Sequence, residues 1–170
     1  LFPIDAQEKH SNEKQRERRR IYPDFLYFIA SRIYPESYVS LYSALIFHGY
    51  IPSHLQSQVN CVTRQKTKEF RTVIGDFDFR KMKDELHFGF EMMGEAPFRF
   101  PMATPEKALL DMFYLFPEYY GTEQSIRRFA IEEKRLFEDW NSMRMFEYLQ
   151  LFDNKALESR VALFARMYGL

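Results

Sequence analysis

The chain has 170 residues, 46% of them hydrophobic, which suits one globular domain with a sizeable core. Its 24 basic and 24 acidic residues balance, so the net charge by itself indicates neither a nucleic-acid partner nor an acidic one. A single cysteine, Cys61, excludes an internal disulfide, and no apolar run reaches the roughly 18 to 20 residues that cross a bilayer; we therefore expect a cytoplasmic protein without a membrane partner.

Residues 1–21 are predicted to be a charged linker or tail. The sequence begins at Leu1 without an initiator Met or the apolar core of a signal peptide, so we expect a fragment whose upstream part is missing. From Gln7 to Arg20 the chain is highly charged and has no apolar residue, so it cannot bury enough surface to offset its conformational entropy. The arginines near Arg20 could contact nucleic acid, but a solvated linker is the simpler interpretation.

The folded part, residues 22–170, is predicted to begin with two helices. The first ends before Pro35 and has one apolar face at helical spacing, formed by Phe25, Leu26, Phe28, Ile29 and Ile33. The second has Ser40 as its N-cap and ends at Gly49, which suits a left-handed C-terminal stop.

The middle of the chain is predicted to be a sheet of four or five mostly antiparallel strands with one apolar face. Strand patterns occur at 58–63, 70–74, 77–79, 86–92 and 98–102. Gly75 and Asp76 lie between two of these segments and form a credible hairpin turn.

The last third of the sequence is predicted to be a helical bundle packed on the sheet. Thr104 caps its first helix and Pro105 occupies the first helical position. Three further helices are predicted near 122–137, 142–151 and 153–168, each beginning at a capping residue. The fold class is therefore predicted to be α+β.

Two acidic patterns could indicate catalysis. Asp76 and Asp78 resemble the paired carboxylates with which nucleotidyltransferases hold a divalent metal, but no Gly-Ser phosphate loop precedes them. Residues 132–134 have the E-x-K spacing of metal-dependent nucleases, with Asp111 upstream, but they lie in a helical pattern where residues two apart diverge. We expect no catalytic residue.

Metal-ligand and cofactor motifs are also missing from the sequence. His10, His48, His54 and His87 have no ligand spacing with one another or with Cys61. No phosphate-binding loop or dinucleotide fingerprint occurs, so neither a metal nor a cofactor is expected.

Cations are concentrated between positions 64 and 83, whereas acids outnumber bases between 106 and 153. On neighbouring strands many of these cations would lie on one surface, which could hold a phosphate backbone or an acidic partner. A solvated sheet face is the alternative. The candidate DNA-binding residues are Arg64, Lys66, Lys68, Arg71, Arg80, Lys81 and Lys83.

Three ordered blocks between about residues 34 and 116 carry a recognisable pattern. They read S-L-Y-S-A-L at 40–45 with H-G-Y-I-P at 48–52, V-T at 62–63 with G-D-F-D-F at 75–79, and A-T-P-E-K-A-L-L-D at 103–111. Together they resemble segments of the abortive-infection AbiEi antitoxin family. The motif positions are Ser40, Ser43, Ala44, Leu45, Gly49, Pro52, Gly75, Phe77, Pro105, Glu106, Lys107 and Asp111.

The third block also has a local physical interpretation. Thr104 and Pro105 suit the start of a helix, and Glu106 complements the dipole of its first turn. Lys107 can pair with Asp111 four residues on, so the pattern is explicable as a structural helix start.

The resemblance implies the C-terminal domain of a bacterial antitoxin and transcriptional autoregulator in a type IV toxin–antitoxin system of phage defence. It implies no enzymatic activity, operator DNA bound mainly through a missing upstream winged helix-turn-helix, and a nucleotidyltransferase-like toxin as partner. Direct contact with the toxin and a homo-oligomer are left open. The alternatives are a metal-dependent nuclease or nucleotidyltransferase relative, and a protein-interaction module without a nucleic-acid role.

Overall fold

A computed structural model describes residues 23–170, which form a six-stranded mixed sheet and seven α-helices. The predicted linker at 1–21 lies outside the described residues. The strands are β1 Ser37–Val39, β2 Val59–Thr63, β3 Lys68–Arg71, β4 Asp76–Lys81, β5 Phe90–Met93 and β6 Phe100–Ala103. The helices are α1 Pro23–Ile33, α2 Leu41–Phe47, α3 Pro105–Leu115, α4 Glu123–Arg127, α5 Glu133–Asp139, α6 Ser142–Phe152 and α7 Lys155–Tyr168.

The strand order across the sheet is β3-β4-β2-β1-β6-β5. Antiparallel pairs join β1 with β2, β3 with β4, and β5 with β6, whereas β1 runs parallel to β6 and β2 runs parallel to β4. The α+β class is confirmed, but the expected sheet of four or five mostly antiparallel strands is only roughly right. The missed strand, β1, has three residues between two helices, which is too short to show an alternating pattern.

The helix starts predicted from capping residues are confirmed at α3, where Thr104 Oγ1 accepts the Lys107 N–H and Pro105 is the first residue. The helix predicted at 122–137 is instead two helices, α4 and α5. Ala130, between them, has a φ of 51°, a left-handed conformation that a right-handed helix cannot continue through. Among residues 23–170, no helix combines the length and the apolar character that spanning a membrane requires.

The strand predicted at 86–92 is shorter than expected. Leu86 ends a 3₁₀ turn that begins at Asp84, and Gly89 adopts a φ of +73° immediately before β5. A residue in that left-handed conformation cannot continue an extended strand, so β5 begins only at Phe90.

The two faces of the sheet are covered by different helices. On β4 the side chains of Phe77 and Phe79 are buried on the face that carries α1, and Phe79 packs edge-on against Tyr34 with ring centroids 5.1 Å apart. Asp78 and Arg80 alternate onto the opposite face, where they lie beside the start of α2 and the segment that follows α3. Candidate functional residues therefore divide between two separate surfaces.

Candidate functional site

Residues from the first and third motif blocks meet in one buried polar network, although they lie far apart in the sequence. Asp111 on α3 accepts hydrogen bonds at Oδ2 from Ser40 Oγ at 2.8 Å and from the Tyr38 hydroxyl at 2.9 Å. Lys107 Nζ forms an ion pair with Asp111 Oδ1 and donates to the Tyr38 hydroxyl at 2.8 Å. The predicted Lys107–Asp111 pair is confirmed.

Lys107 is held inside an aromatic enclosure. Its ammonium group lies 4.8 Å from the ring centroid of Phe88, 5.2 Å from that of Phe152 and 5.3 Å from that of Tyr38. The side chains of Lys107 and Asp111 are both 0% exposed. Burial lowers the pKa of Lys107 and Asp111 opposes that shift, while burial and then Asp111 raise the pKa of Tyr38. Attraction to the aromatic faces and to the carboxylate offsets the free-energy cost of removing water from the ammonium group.

The network fixes the start of α2 as well as the course of α3. Ser40 stands at the N-cap position of α2, but its side chain makes no capping bond there and instead donates to Asp111. The predicted capping role of Ser40 is therefore wrong in this detail. Glu106, expected only to complement the dipole, is buried and accepts the backbone N–H of Asn141 at 3.0 Å, which ties α3 to the start of α6.

The other motif positions have structural roles. Ser43 Oγ accepts the Asn60 N–H at 2.8 Å, which joins α2 to β2. Gly49 has a φ of +79° just after α2, as the predicted left-handed stop requires. The remaining positions lie in the core, in turns or at a helix start: Ala44, Leu45, Pro52, Gly75, Phe77 and Pro105.

Gly89 is predicted to be needed by the network, because a β-carbon there would lie 3.0 Å from Lys107 Cγ. Gly89→Ala is expected to lower the free energy of unfolding by about 2–4 kcal/mol, since it combines a left-handed alanine with crowding of a buried side chain. Urea denaturation measures the decrease. Gly169→Ala is the matched control, because Gly169 has a φ of +68° with nothing within 4 Å of the added carbon. Equal decreases in the two variants would contradict crowding against Lys107.

The candidate DNA-binding cations do not all share one face. Those near the β2–β3 turn and the end of β4 gather at one corner of the sheet, because Thr63 is paired with Lys81 and the Lys81 N–H donates to Thr67 Oγ1 at 3.0 Å. All of the cations at this corner are exposed. We call them the basic corner: Arg64, Lys66, Lys68, Lys81 and Lys83.

Arg71 and Arg80 lie outside the basic corner. Arg71 is at the opposite end of β3, paired in register with Asp76. Arg80 Nε donates to Asp78 Oδ2 at 2.9 Å, and its second nitrogen lies 3.5 Å from Glu69. The charge of Arg80 is therefore largely offset by its neighbours, whereas sequence reasoning treated it as a free cation.

The acidic candidates form no metal centre within residues 23–170, which contain no group of three or more His, Cys, Asp or Glu side chains placed to hold an ion. Asp76 is exposed, but Asp78 is buried and bound to Arg80. Glu132 precedes α5, so residues 132–134 do not lie on a strand.

Sequence reasoning missed an open cleft of about 530 Å³. It lies between the β2–β4 region, the start of α2, the segment after α3, and α4. Its walls include Asp78, Arg80 and Arg128 together with Tyr42 and Tyr119. No local signal could have revealed it, because separate segments supply its walls.

No protein-family model matches the chain, and no curated protein matches it significantly. The AbiEi resemblance thus depends on the three sequence blocks, and the function that it implies stays a prediction.

Proposed function

We propose that the chain is the C-terminal domain of an AbiEi-like antitoxin and transcriptional autoregulator, which acts by binding and not by catalysis. In this proposal an upstream domain recognises the operator, and the basic corner adds contacts to the DNA backbone. The partner toxin is nucleotidyltransferase-like, as the resemblance implies.

The DNA-binding part of the proposal depends on the exposure of the basic corner and on how few of its cations are paired with carboxylates. Lys66, Lys68, Lys81 and Lys83 are exposed, and none of them pairs with a carboxylate of residues 23–170. Arg64 pairs with Glu36 at 3.3 Å, but both side chains are solvated, so this pair is weak and readily exchanged for phosphate. The Lys68 ammonium also lies over the Phe70 ring, 4.6 Å from its centroid, and remains exposed. Exposed, clustered cations release counterions when they bind DNA.

The antitoxin part is supported by the way the motif blocks combine. Ser40 comes from the first block and Asp111 from the third, yet they hydrogen-bond in one closed network. The contact means that the first and third blocks belong to one structural unit, which is what a single domain of that family requires. Because the network is sealed from solvent, its Lys107 supports the fold and is not available to a substrate.

The test reverses three charges of the basic corner in the full-length protein: Lys66→Glu, Lys68→Glu and Lys81→Glu. Affinity for duplex DNA is expected to fall. The slope of log affinity against log salt should become shallower by about 0.9 for each phosphate that the variant no longer neutralises. Fluorescence anisotropy at several salt concentrations measures both quantities. Melting should barely change, because exposed charges usually move stability by under about 0.5 kcal/mol.

The matched control reverses three exposed cations elsewhere, Arg127→Glu, Lys134→Glu and Lys155→Glu, and so changes the net charge equally. It is expected to retain most of the DNA affinity. Equal decreases in affinity in both triple variants would mean that overall charge is responsible and would overturn the role of the basic corner.

A protein-interaction module is the second candidate, favoured by large apolar side chains exposed on consecutive helices. Phe137 on α5 and Met143 and Phe146 on α6 are each more than half exposed. Toxin rescue in cells separates the candidates. If the basic-corner variant binds DNA normally but no longer rescues cells, that corner contacts a protein and this second function replaces the first.

A further inference from the structure

We propose that the cleft beside Asp78 is a nucleotide-binding site, separate from the basic corner and independent of the proposed function. The ligand is a nucleotide with a terminal phosphate, either free or at the end of a strand. The argument depends on one buried carboxylate, a wall of aromatic rings and an exposed arginine.

The first observation is an unfilled acceptor in the wall. Asp78 is only 2% exposed, and its Oδ2 accepts the Nε–H of Arg80. Its Oδ1 is buried and has no hydrogen-bond partner within residues 23–170. A buried acceptor without a donor is costly, so a ligand N–H that hydrogen-bonds to Oδ1 would remove this cost once the wall has moved to expose this oxygen.

Amides stand close to this carboxylate. Asn60 is paired in register with Asp78 on the adjacent strand β2, and both residues line the cleft with Gln58. A carboxylate and two amides in one cleft offer both acceptors and donors, the groups that the edge of a nucleobase with amino and ring N–H groups needs.

The aromatic wall supplies the stacking surface. Tyr119 is 62% exposed, and Phe116 lies under the Arg80 guanidinium, with 5.6 Å between the guanidinium carbon and the ring centroid. Tyr42 and Tyr120 line the same cleft and share a hydrogen bond between their hydroxyls at 3.2 Å. Aromatic side chains of this kind stack on bases, and each stacked base contributes substantially to affinity.

Arg128 provides the anion contact. It follows α4, is exposed and lines the cleft, and it makes no ion pair with a carboxylate of residues 23–170. The cleft volume of about 530 Å³ lies within the range of small-molecule sites and accommodates one nucleotide. A base against Asp78 with its phosphate toward Arg128 uses every one of these features.

Isothermal titration calorimetry with AMP, GMP, CMP and UMP, the matching nucleosides and inorganic phosphate tests the proposal. At least one nucleotide is expected to bind saturably and more tightly than its nucleoside and than inorganic phosphate. Arg128→Ala should weaken binding of that nucleotide by about tenfold or more while leaving binding of its nucleoside unchanged. Tyr119→Ala should weaken both. Both residues are exposed, so the variants should fold.

Arg127→Ala is the matched control, because Arg127 is the neighbouring exposed arginine and does not line the cleft. A short 5′-phosphorylated oligonucleotide, compared with its unphosphorylated form, separates a strand end from a free nucleotide as the source. No saturable binding of any of these probes would overturn the proposal. Equal effects of Arg127→Ala and Arg128→Ala would also overturn it.

Discussion

Asp111→Asn is expected to lower the free energy of unfolding by about 3–5 kcal/mol, because it leaves the buried ammonium of Lys107 without its counter-charge. Asparagine has nearly the shape of aspartate, so the change removes charge and little volume. The Ser40 and Tyr38 hydroxyls would also have a weaker acceptor than a carboxylate. Urea denaturation measures the decrease, and in a domain of this size the melting temperature should fall by about 2–4 °C per kcal/mol.

The chain contains a natural control, since Lys134 and Glu138 on α5 have the same four-residue spacing at 3.7 Å but are exposed. Glu138→Gln should change stability by no more than about 0.5 kcal/mol. The double variant Lys107→Met, Asp111→Leu should recover part of the stability, because it removes both charges together. Equal effects of Asp111→Asn and Glu138→Gln would contradict a buried ion pair.

Phe79→Ala is expected to lower the free energy of unfolding by about 3–5 kcal/mol, because it empties a space in the core between the sheet and α1. Phe79 is 0% exposed, and its ring packs edge-on against Phe70 at 5.7 Å as well as against Tyr34. The decrease should appear in the denaturation midpoint with the m-value unchanged.

Phe137→Ala removes an equal volume from a side chain that is 66% exposed, so it should shift stability by under about 0.5 kcal/mol. If Phe137→Ala were as damaging as Phe79→Ala, the ring of Phe137 would be buried in solution. Phe137 would then not belong to an exposed apolar surface, and the observation that favours a protein-interaction module would be lost.

Local chemistry made much of the fold predictable. Thr104, Pro105 and Gly49 each satisfy a backbone requirement at a helix end, so they placed α3 and the end of α2 correctly. Ala130 has no such chemistry, since alanine favours helix and rarely adopts a left-handed conformation, so the break between α4 and α5 gave no local signal. Strand β1 was also missed because it gave no local signal. All three of its residues are buried, so it shows no alternation of buried and exposed side chains.

The candidate site was predictable only where residues are close in the sequence. The Lys107–Asp111 spacing predicted their pair, but lysine is rarely fully buried, so its enclosure by aromatic rings was unexpected. Tyr38 joins them across the fold, and no sequence spacing expresses that contact. The hydrogen bond from Arg80 to Asp78, two residues before it on β4, was missed as well, because Arg80 was counted among the free cations.

Strand β1 has a consequence for the order in which the molecule can assemble. Its Val39 pairs with Cys61 on one side and with Met102, much later in the chain, on the other. Closing so long a loop costs conformational entropy before the pairing can repay it. During synthesis β1 emerges from the ribosome well before β6. The edge of β1 that pairs with β6 is therefore unpaired until β6 has emerged. We therefore expect the sheet to remain open along this edge, and prone to pairing with other chains, until synthesis has passed Ala103.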